Sequence, residues 1–404
     1  MNLPLYIAYK LLRSQKILSK NTKPAIKIGI VAISLSVIIM MLSIFILSGF
    51  KETIKNEVIG FNSHLKIEKY NLSNDKNMFL YKDSVLSQIK KIEGINKIFP
   101  YVKKTSILKN NNLTHPVLVN GFDKVYNSDF FSSHLTKGNL PDLGSEKENN
   151  QILISKIISD KLKISVGDEL ISYFFDEKTR LRKFKVCGIY ETTMIEFDEY
   201  YCIIDIRILQ RLNNWNQNQV GGLEIYLRDN NSTLELTEKI NEEISFDLLA
   251  SNFYDNFPQI FSWLELQNIN VRIIIILMVI IGLVNIVTIM FVILATKKTF
   301  YQITKSIGFS NQVLRKVFQY HTTFILTYGL FIGNTVALLA SIVQKKFKVI
   351  KLDPTVYFME YVPIKINFMD VALLNLSAII LSLFVLYLPT IYIGKVSKVN
   401  NKVS

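Results

Sequence analysis

The sequence predicts a multi-pass α-helical membrane protein with four transmembrane helices, one followed by three, and a large α+β domain inserted between the first and second spans. Residues 273–296 are uncharged, residues 28–50 are also uncharged, and the long stretch between them has a mixed composition. At ~1.5 Å rise per residue, each uncharged run can cross the ~30 Å hydrocarbon core of a bilayer. Because each run is apolar on all sides, lipid or other spans must surround it.

The composition agrees with a chain that is only partly embedded. Of the 404 residues, 49% are hydrophobic, and the mean hydropathy is +0.25, between the values expected of soluble and fully embedded proteins. The net charge of +14 is interpreted first as loop charge that sets orientation, because no nucleic-acid-binding motif accompanies it. We therefore expect no nucleic-acid partner.

The N-terminal part predicts a cytoplasmic start. Residues 1–27 combine apolar residues at helical spacing with lysine and arginine and contain no acid, as in an amphipathic helix on an anionic membrane surface. The span at 28–50 follows as a retained helix that runs from the cytoplasm to the outside. Gly29, Ser36 and Ser43 recur every seven residues and form a small-residue face for helix packing.

The stretch 51–272 predicts an extracytoplasmic α+β domain. Asparagine-rich turns separate short β-branched runs from helical patterns. We expect strands near 64–68, 116–120, 151–155, 183–190, 201–205 and 223–227, and helices near 82–92, 156–162, 206–212 and 233–244.

Two groups within this domain are candidates for special chemistry. Cys187 and Cys202 lie outside the cytoplasm, where a disulfide is permitted, although two unpaired thiols are the expected state. Four acids lie close in sequence, and we expect a solvated hairpin tip there, in preference to a cation site. They are Glu191, Glu196, Asp198 and Glu199.

The C-terminal part alternates spans and loops. After the second span at 273–296, residues 297–316 are basic without an acid, which predicts a cytoplasmic loop. A third span at 317–344, an outside loop at 345–370, a fourth span at 371–394 and a cytoplasmic tail at 395–404 follow. Both termini are then cytoplasmic.

Four residues in these spans are candidates for packing or binding. Gly329 and Gly333 form a G-x-x-x-G pattern that favours close helix contact. Asn285 and Asn334 are polar residues in apolar segments. They predict either hydrogen bonds between helices or the polar wall of a substrate cavity.

The sequence contains no motif for catalysis or for binding nucleotide or metal. It has no G-x-x-x-x-G-K-[ST] loop, no H-E-x-x-H pair and no nucleophile elbow, and its four histidines are scattered. We therefore expect a chain that is not an enzyme, without catalytic, cofactor or metal residues. If ATP drives it, the ATPase is another polypeptide.

Several segments resemble one family. They are residues 5–14, residues 47–50 with 64–67, residues 166–170, residues 184–198 continuing to Tyr201, and Lys305-Ser306-Ile307-Gly308 with Arg315 and Lys316. Together they resemble the permease subunit of a lipoprotein-releasing (Lol-type) ABC transporter, in the family of MacB- and FtsX-like permeases. The segment 184–198 is the most specific. One departure is the lack of an acid in residues 296–301, where the family normally has a glutamate.

The resemblance implies an extracytoplasmic domain of the MacB periplasmic-core type in a protein of the bacterial inner membrane. It implies coupling through Lys305, Ser306, Ile307, Gly308, Arg315 and Lys316 to a cytoplasmic ABC ATPase dimer, which carries ATP and Mg. It further implies a second permease subunit, identical or homologous, membrane lipid around the spans, a lipoprotein substrate and a periplasmic lipoprotein carrier.

Three other functions remain open from the sequence. A MacB-like efflux permease usually carries its ATPase on the same chain, and an FtsX-like regulator of cell-wall hydrolases usually has a smaller outside domain. A receptor without an ATPase leaves the coupling-like loop unexplained.

Overall fold

The computed structural model describes residues 3–13, 22–70, 80–123, 128–143, 149–175, 179–192, 194–229, 232–296, 298–357 and 359–399. The chain forms two compact units. The helical unit comprises Met1–Glu52, Trp263–Lys351 and Tyr361–Ser404. The α+β unit comprises Thr53–Ser262 and Leu352–Glu360.

The helices are numbered in chain order. They are α1 (Leu3–Arg13), α2 (Thr22–Asn62), α3 (Lys82–Ile89), α4 (Ser128–Ser133), α5 (Lys156–Leu162), α6 (Ile195–Tyr200), α7 (Ile206–Leu212), α8 (Thr233–Glu243), α9 (Phe253–Asn256), α10 (Pro258–Thr296), α11 (Lys298–Ser306), α12 (Asn311–Phe347), α13 (Pro354–Tyr357) and α14 (Phe368–Val399).

The strands are also numbered in chain order. They are β1 (Leu65–Lys69), β2 (Leu80–Tyr81), β3 (Ile95–Asn110), β4 (Leu113–Phe122), β5 (Leu135–Gly138), β6 (Gln151–Ser155), β7 (Glu169–Phe174), β8 (Arg180–Tyr190), β9 (Tyr201–Asp205), β10 (Gln219–Val220), β11 (Gly222–Leu227) and β12 (Leu248–Asn252).

Three helices of the described chain are long and apolar enough to cross a bilayer. The qualifying segments are Ile26–Asn62, Pro258–Ile293 and Gln312–Phe347, within α2, α10 and α12. The first three predicted spans lie inside these three helices, and the second, 273–296, ends three residues beyond the qualifying segment of α10. The apolar segment Phe368–Phe384 of α14 is shorter, so the fourth span stays a prediction.

The helical unit has its own apolar core. Met41, Phe45, Met290, Phe318 and Ile325 are almost fully buried in one cluster built from α2, α10 and α12. A smaller cluster joins α1 to α12 through two fully buried residues, Ala8 and Val317, with Phe300 of α11 packed against it. The described part of the predicted N-terminal helix therefore packs on protein with one face.

The α+β unit is built on a ten-stranded sheet. The strand order is β12-β1-β11-β3-β4-β9-β6-β8-β5, and β7 pairs with both β3 and β8. Strands β3, β4, β9, β6, β8 and β7 therefore close into a ring, and β11, β1 and β12 extend from β3 as an open sheet. The hairpin between β3 and β4 turns at Asn111, whose φ of 52° lies in the left-handed region that asparagine tolerates.

Most predicted elements of this unit are present. Helices α5 and α7 and strands β6 and β9 have the predicted bounds, and α3, α8, β1, β4, β8 and β11 lie within a few residues of theirs. The sequence interpretation missed β3, the longest strand, because its lysines and asparagines break the apolar alternation. Pairing with β4, β7 and β11 along its length holds β3 in the sheet.

Strand β12 lies at the open end of the sheet, and local groups satisfy its outer edge. The side chain of Asn241 on α8 donates to the Ala250 carbonyl (2.9 Å) and accepts from the Ala250 N–H (2.8 Å). The Leu248 N–H donates to the Ser245 carbonyl at 2.9 Å. Because these backbone groups already have hydrogen-bond partners, they are not free to pair with an added strand.

The structure corrects one prediction and decides another. Asp198 belongs to no solvated hairpin tip, because it is 2% exposed on α6 and accepts hydrogen bonds from the N–H and hydroxyl of Thr192 (2.8 and 2.9 Å). The sequence left a disulfide open, and the structure decides against it. Cys187 and Cys202 are both free thiols. Burial raises the pKa of Cys187 to about 12, so its thiolate is scarce at neutral pH.

Candidate functional site: a cavity and an elbow in the helical unit

A cavity of about 550 Å³ lies among α2, α10, α12 and α14 in the helical unit. Its wall is mostly apolar side chains that the spans supply at helical spacing. The apolar lining includes Ile33, Val37, Met40, Ile44, Leu47, Ile275, Met278, Val279, Leu283, Ile286, Leu326, Leu330, Leu373, Leu374 and Leu381. From 33 to 51 on α2 and from 268 to 286 on α10, the lining spans roughly 27 Å of helix axis, close to the depth of a bilayer core.

The polar lining is concentrated at one end of this cavity, which we call the mouth. Lys51 of α2, Asn268 of α10 and Asp370 of α14 line it, together with Ser48. Lys51 directly follows the uncharged run of α2, Asn268 lies five residues before that of α10, and Asp370 lies in the first turn of α14. A mainly apolar cavity with a charged mouth matches an amphiphile with a polar head and apolar chains.

A loop segment is fixed against α2 near the mouth. The Lys365 N–H donates to the Phe45 carbonyl (3.1 Å), and the Lys365 ammonium pairs with Glu52 at 3.0 Å. A Cβ on Gly49 would lie 2.6 Å from the carbonyl carbon of Pro363, so the close approach requires glycine here. The segment is thereby held in place along residues 45–52 of α2.

The two predicted cavity residues lie elsewhere. The amide of Asn334 on α12 donates to Asn375 Oδ1 of α14 (2.7 Å), and Asn375 donates back to Asn334 Oδ1 (3.0 Å). Asn285 is half-buried on α10. Neither Asn285 nor Asn334 is among the residues that line the cavity. The reciprocal pair instead joins α12 to α14.

The predicted small-residue positions contact different helices. Gly329 and Gly333 of α12 lie against α2, where a Cβ would come within 2.7 Å of Ile33 Cγ2 and 2.8 Å of Val37 Cβ respectively. The Ser34 hydroxyl donates to the Gly329 carbonyl at 3.0 Å, which such close packing permits.

The three positions on α2 do not share one partner. Gly29 lies against Ile289 of α10, whereas Ser36 is buried and lines the cavity. Ser43 is half-buried. The heptad spacing places them on one face of α2, and that face meets both α10 and the cavity.

The predicted coupling residues form an elbow, which we define as residues 298–316, between α10 and α12. Helix α11 ends at Ser306, and Gly308 reverses the chain with a φ of +95°, a conformation that glycine adopts without strain. The Gly308 N–H donates to the Lys305 carbonyl at 3.0 Å. The Ser310 hydroxyl then accepts from the Val313 N–H (3.4 Å) and caps α12.

The elbow presents an apolar surface flanked by cations. Ile303 and Ile307 are 55% and 70% exposed, four residues apart and therefore on one face. Lys316 is exposed, whereas Lys305 and Arg315 are half-buried. One turn earlier, the start of α11 is anchored, because Phe300 packs against Ala8 of α1 and Val317 of α12.

The sequence interpretation missed Lys51, Asp370, Asn375 and Ile303. Lys51 and Asp370 directly border apolar runs, and Asn375 lies inside one, so charge and polarity at span positions are the signals that point to them. Lys297, beside the position of the absent acid, lies outside the described residues.

Comparison with known proteins identifies the family. A model of the MacB-like periplasmic core domain matches residues 28–243, and a model of the FtsX-like permease C-terminal region matches residues 272–398. The chain belongs to the MacB- and FtsX-like permease family. Its similarity to full-length relatives places it with the Lol-type ABC permeases of that family.

These relatives match over nearly the whole chain. The lipoprotein-releasing system transmembrane protein LolC of Buchnera aphidicola is 23% identical over 92% of this chain and 91% of its own length. LolE of Haemophilus influenzae is 21% identical over 95% of both chains. An uncharacterized membrane protein of Buchnera aphidicola is 24% identical over 91% of both.

Among solved structures, the periplasmic region of MacB from Actinobacillus actinomycetemcomitans is similar. The match has 16% identity and a TM-score of 0.37, and covers 51% of this chain and 95% of that one.

Proposed function

We propose that this chain is the non-catalytic permease subunit of an ABC transporter that extracts lipoproteins from the inner membrane. The observation that carries the proposal is the cavity, whose apolar wall and charged mouth suit a lipid-anchored polypeptide. Two of the relatives that match over nine-tenths of the chain are named as lipoprotein-releasing transmembrane proteins.

In this proposal, acyl chains lie along the apolar wall and the polar head of the substrate lies at the mouth. Moving an acyl chain from water into an apolar cavity is favourable by ~0.8 kcal/mol per methylene group. Moving it from lipid into the same cavity brings no such gain, because lipid is equally apolar. Entry from the bilayer is therefore near balance, and release toward water requires an energy source. A separate polypeptide that hydrolyses ATP with Mg supplies that energy.

The elbow is the proposed contact for this ATPase dimer. Ile303 and Ile307 offer an apolar anchor, and Lys305, Lys316 and Arg315 surround it with positive charge. Because Phe300 packs against α1 and α12, a displacement of α11 would act directly on both helices. A second permease subunit completes the membrane part of the transporter, and a periplasmic carrier receives the lipoprotein.

The proposed topology has four spans and both termini in the cytoplasm. Helix α14 runs from Phe368 to Val399, roughly 48 Å at 1.5 Å per residue, which is long enough to cross the bilayer. The four lysine and arginine residues of the elbow support its cytoplasmic position. The efflux and hydrolase-regulator alternatives are not favoured, because two full-length relatives, LolC and LolE, are named as lipoprotein-releasing transmembrane proteins.

The proposal predicts that Gly308→Pro uncouples ATP hydrolysis from release. Proline fixes φ near −65° and lacks the N–H that bonds to Lys305, so it cannot form the turn at +95°. The measurement is lipoprotein release from vesicles that contain the chain, its partner permease and its ATPase, with phosphate release measured in parallel. We expect release to fall more than tenfold while the thermal unfolding of the α+β unit is unchanged.

Gly308→Ala is the matched control. Alanine keeps the N–H and enters the left-handed region at a cost of about 1 kcal/mol, so release should persist. If the Gly308→Pro variant released lipoprotein at the wild-type rate, the proposed coupling role of the elbow would be contradicted. Failure of any ATPase to co-purify with the wild-type chain in mild detergent would remove the transporter proposal itself.

A further inference from the structure

A groove in the α+β unit takes no part in the proposed transport mechanism. It has a volume of about 1180 Å³ and is lined by the end of α3, the turn into β3, the first part of β3, and the end of β11. Its floor is apolar, since Leu86, Ile95 and Ile98 line it and pack against the hydrophobic core. We call this feature the basic groove.

Cations dominate the rim of the basic groove. Lys90, Lys91, Lys97 and Arg228 line it and are exposed. Within the described part of the chain, none of these four side chains takes part in an ion pair. Four like charges around one depression attract an anionic partner.

The acids of the groove do not neutralise this charge. Asp123 lines it and is already paired with the fifth cation, Lys82, at 2.8 Å between Nζ and Oδ2. Glu93 is the other acid in the lining. The groove therefore keeps an excess of positive charge after both acids are counted.

Hydrogen bonds fix the backbone that carries two of these charges. The Arg228 N–H donates to the Gly94 carbonyl (2.9 Å), which ties the end of β11 to the turn before β3. Strands β3 and β11 are paired from Ile95 to Tyr101. Lys97 therefore lies in a paired part of the sheet and Arg228 directly follows one, so binding restricts their side chains but costs little backbone entropy.

We propose that the basic groove binds an acidic, extended segment of a partner polypeptide. Residues 94–100 follow the groove and, at ~3.3 Å per residue, extend roughly 23 Å, a length that suits an extended chain of similar size. Successive side chains of such a chain alternate in direction, so that apolar ones can reach the floor while acidic ones reach the rim. A single phosphate or lipid headgroup would leave most of this volume unfilled.

The test measures binding of fluorescent peptides to the full-length chain in detergent micelles. The probe is a short peptide of alternating glutamate and valine, compared with a peptide in which lysine replaces glutamate. We expect the acidic peptide to bind, with affinity that falls as salt rises, and the basic peptide not to bind. In the triple variant Lys90→Glu, Lys97→Glu, Arg228→Glu the Kd should rise at least about tenfold.

A second triple variant is the matched control. Lys183→Glu, Lys185→Glu and Lys239→Glu make the same charge change at exposed positions outside the groove and should leave the Kd within about twofold of wild type. Equal weakening in both triples would overturn the proposal in favour of non-specific attraction. Groove-dependent binding of phosphatidylglycerol vesicles, without peptide binding, would overturn the polypeptide as the occupant. All variants are exposed-site changes, and unchanged thermal unfolding confirms that they fold.

Discussion

At the residue scale, Asp198 shows how burial changes an acid that looks ordinary in sequence. Its carboxylate is buried on α6, and burial raises its pKa from 3.8 to about 7, although the two hydrogen bonds from Thr192 favour the ionised form. The nearby charge of Glu57 raises it further. Asp198 therefore binds a proton in the folded chain at a pH where the unfolded chain has lost it.

This shift predicts a pH dependence of stability. The pKa of Asp198 is higher in the folded chain than in the unfolded chain. Its contribution to the free energy of unfolding is therefore fully present below pH ~4 and is lost as the pH rises toward 7. We expect Asp198→Asn to flatten the fall in melting temperature between pH 4 and 7, measured by thermal unfolding of the full chain. Glu196→Gln, at an exposed position on the same helix, should leave the slope unchanged. If the melting temperature fell equally steeply with pH in wild type and Asp198→Asn, the raised pKa of Asp198 would be contradicted.

Also at this scale, the asparagine pair explains why a polar residue is tolerated in an apolar helix. Asn334 and Asn375 each donate to the other and to a carbonyl of their own helix, Leu330 and Val371 respectively. With their donors satisfied, the two amides can lie between helices at little cost. The sequence offered helix packing and a cavity wall as alternatives, and the contacts observed are between helices.

At the element scale, the contact between α2 and α12 depends on two glycines, which have no side chain. Gly329 and Gly333 allow α12 to approach Ile33 and Val37, and the Ser34 hydroxyl bonds across the contact. Both isoleucine and valine are β-branched and have few alternative rotamers, so they cannot easily move aside for an added methyl group. Close packing of these two helices therefore requires glycine.

This contact predicts opposite effects for the same substitution at two glycines. Gly329→Ala should lower the stability of the helical unit by about 1–3 kcal/mol through overpacking. Gly282→Ala should be neutral or stabilising, because an added Cβ meets nothing within 4 Å and alanine favours the helix. The measurement is the melting temperature of each variant in the same detergent. A Gly329→Ala variant as stable as Gly282→Ala would show that α2 and α12 are not closely packed.

At the scale of the whole molecule, the proposed four-span topology places the elbow and the tail on one side of the membrane. Three helices of the described chain qualify as spans, and the fourth span rests on α14. Basic, acid-free segments before α2, in the elbow and at residues 395–404 all favour the cytoplasm. An exception is the lysine-rich end of α12, at Lys345 and Lys346, which the same topology places outside.

Thiol labelling tests this topology. The two native thiols give a low background, since Cys202 is buried and the pKa of Cys187 is raised to about 12. In intact cells, an impermeant maleimide should label Lys346→Cys but neither Ser306→Cys nor Lys395→Cys, and all three should react after lysis. Labelling of Lys395→Cys in intact cells would remove the fourth span, and labelling of Ser306→Cys would remove the cytoplasmic elbow.

Much of this protein follows from the sequence alone. The first three spans can be predicted because an uncharged run long enough to cross a bilayer leaves few alternatives. The helices at Lys156–Leu162 and Ile206–Leu212 and the strands beside them are readable because their apolar periodicity is local. The family is readable because segments spread along the whole chain carry it.

Only the tertiary structure decided where side chains from distant segments meet. The ring through β3 and β7, the buried proton site at Asp198, the pair of Asn334 with Asn375, and the mouth formed by Lys51 and Asp370 join residues far apart in sequence. Sequence patterns report which face of an element is apolar, but they do not report which partner covers it. Periodicity is a local property, whereas packing and desolvation depend on the whole fold.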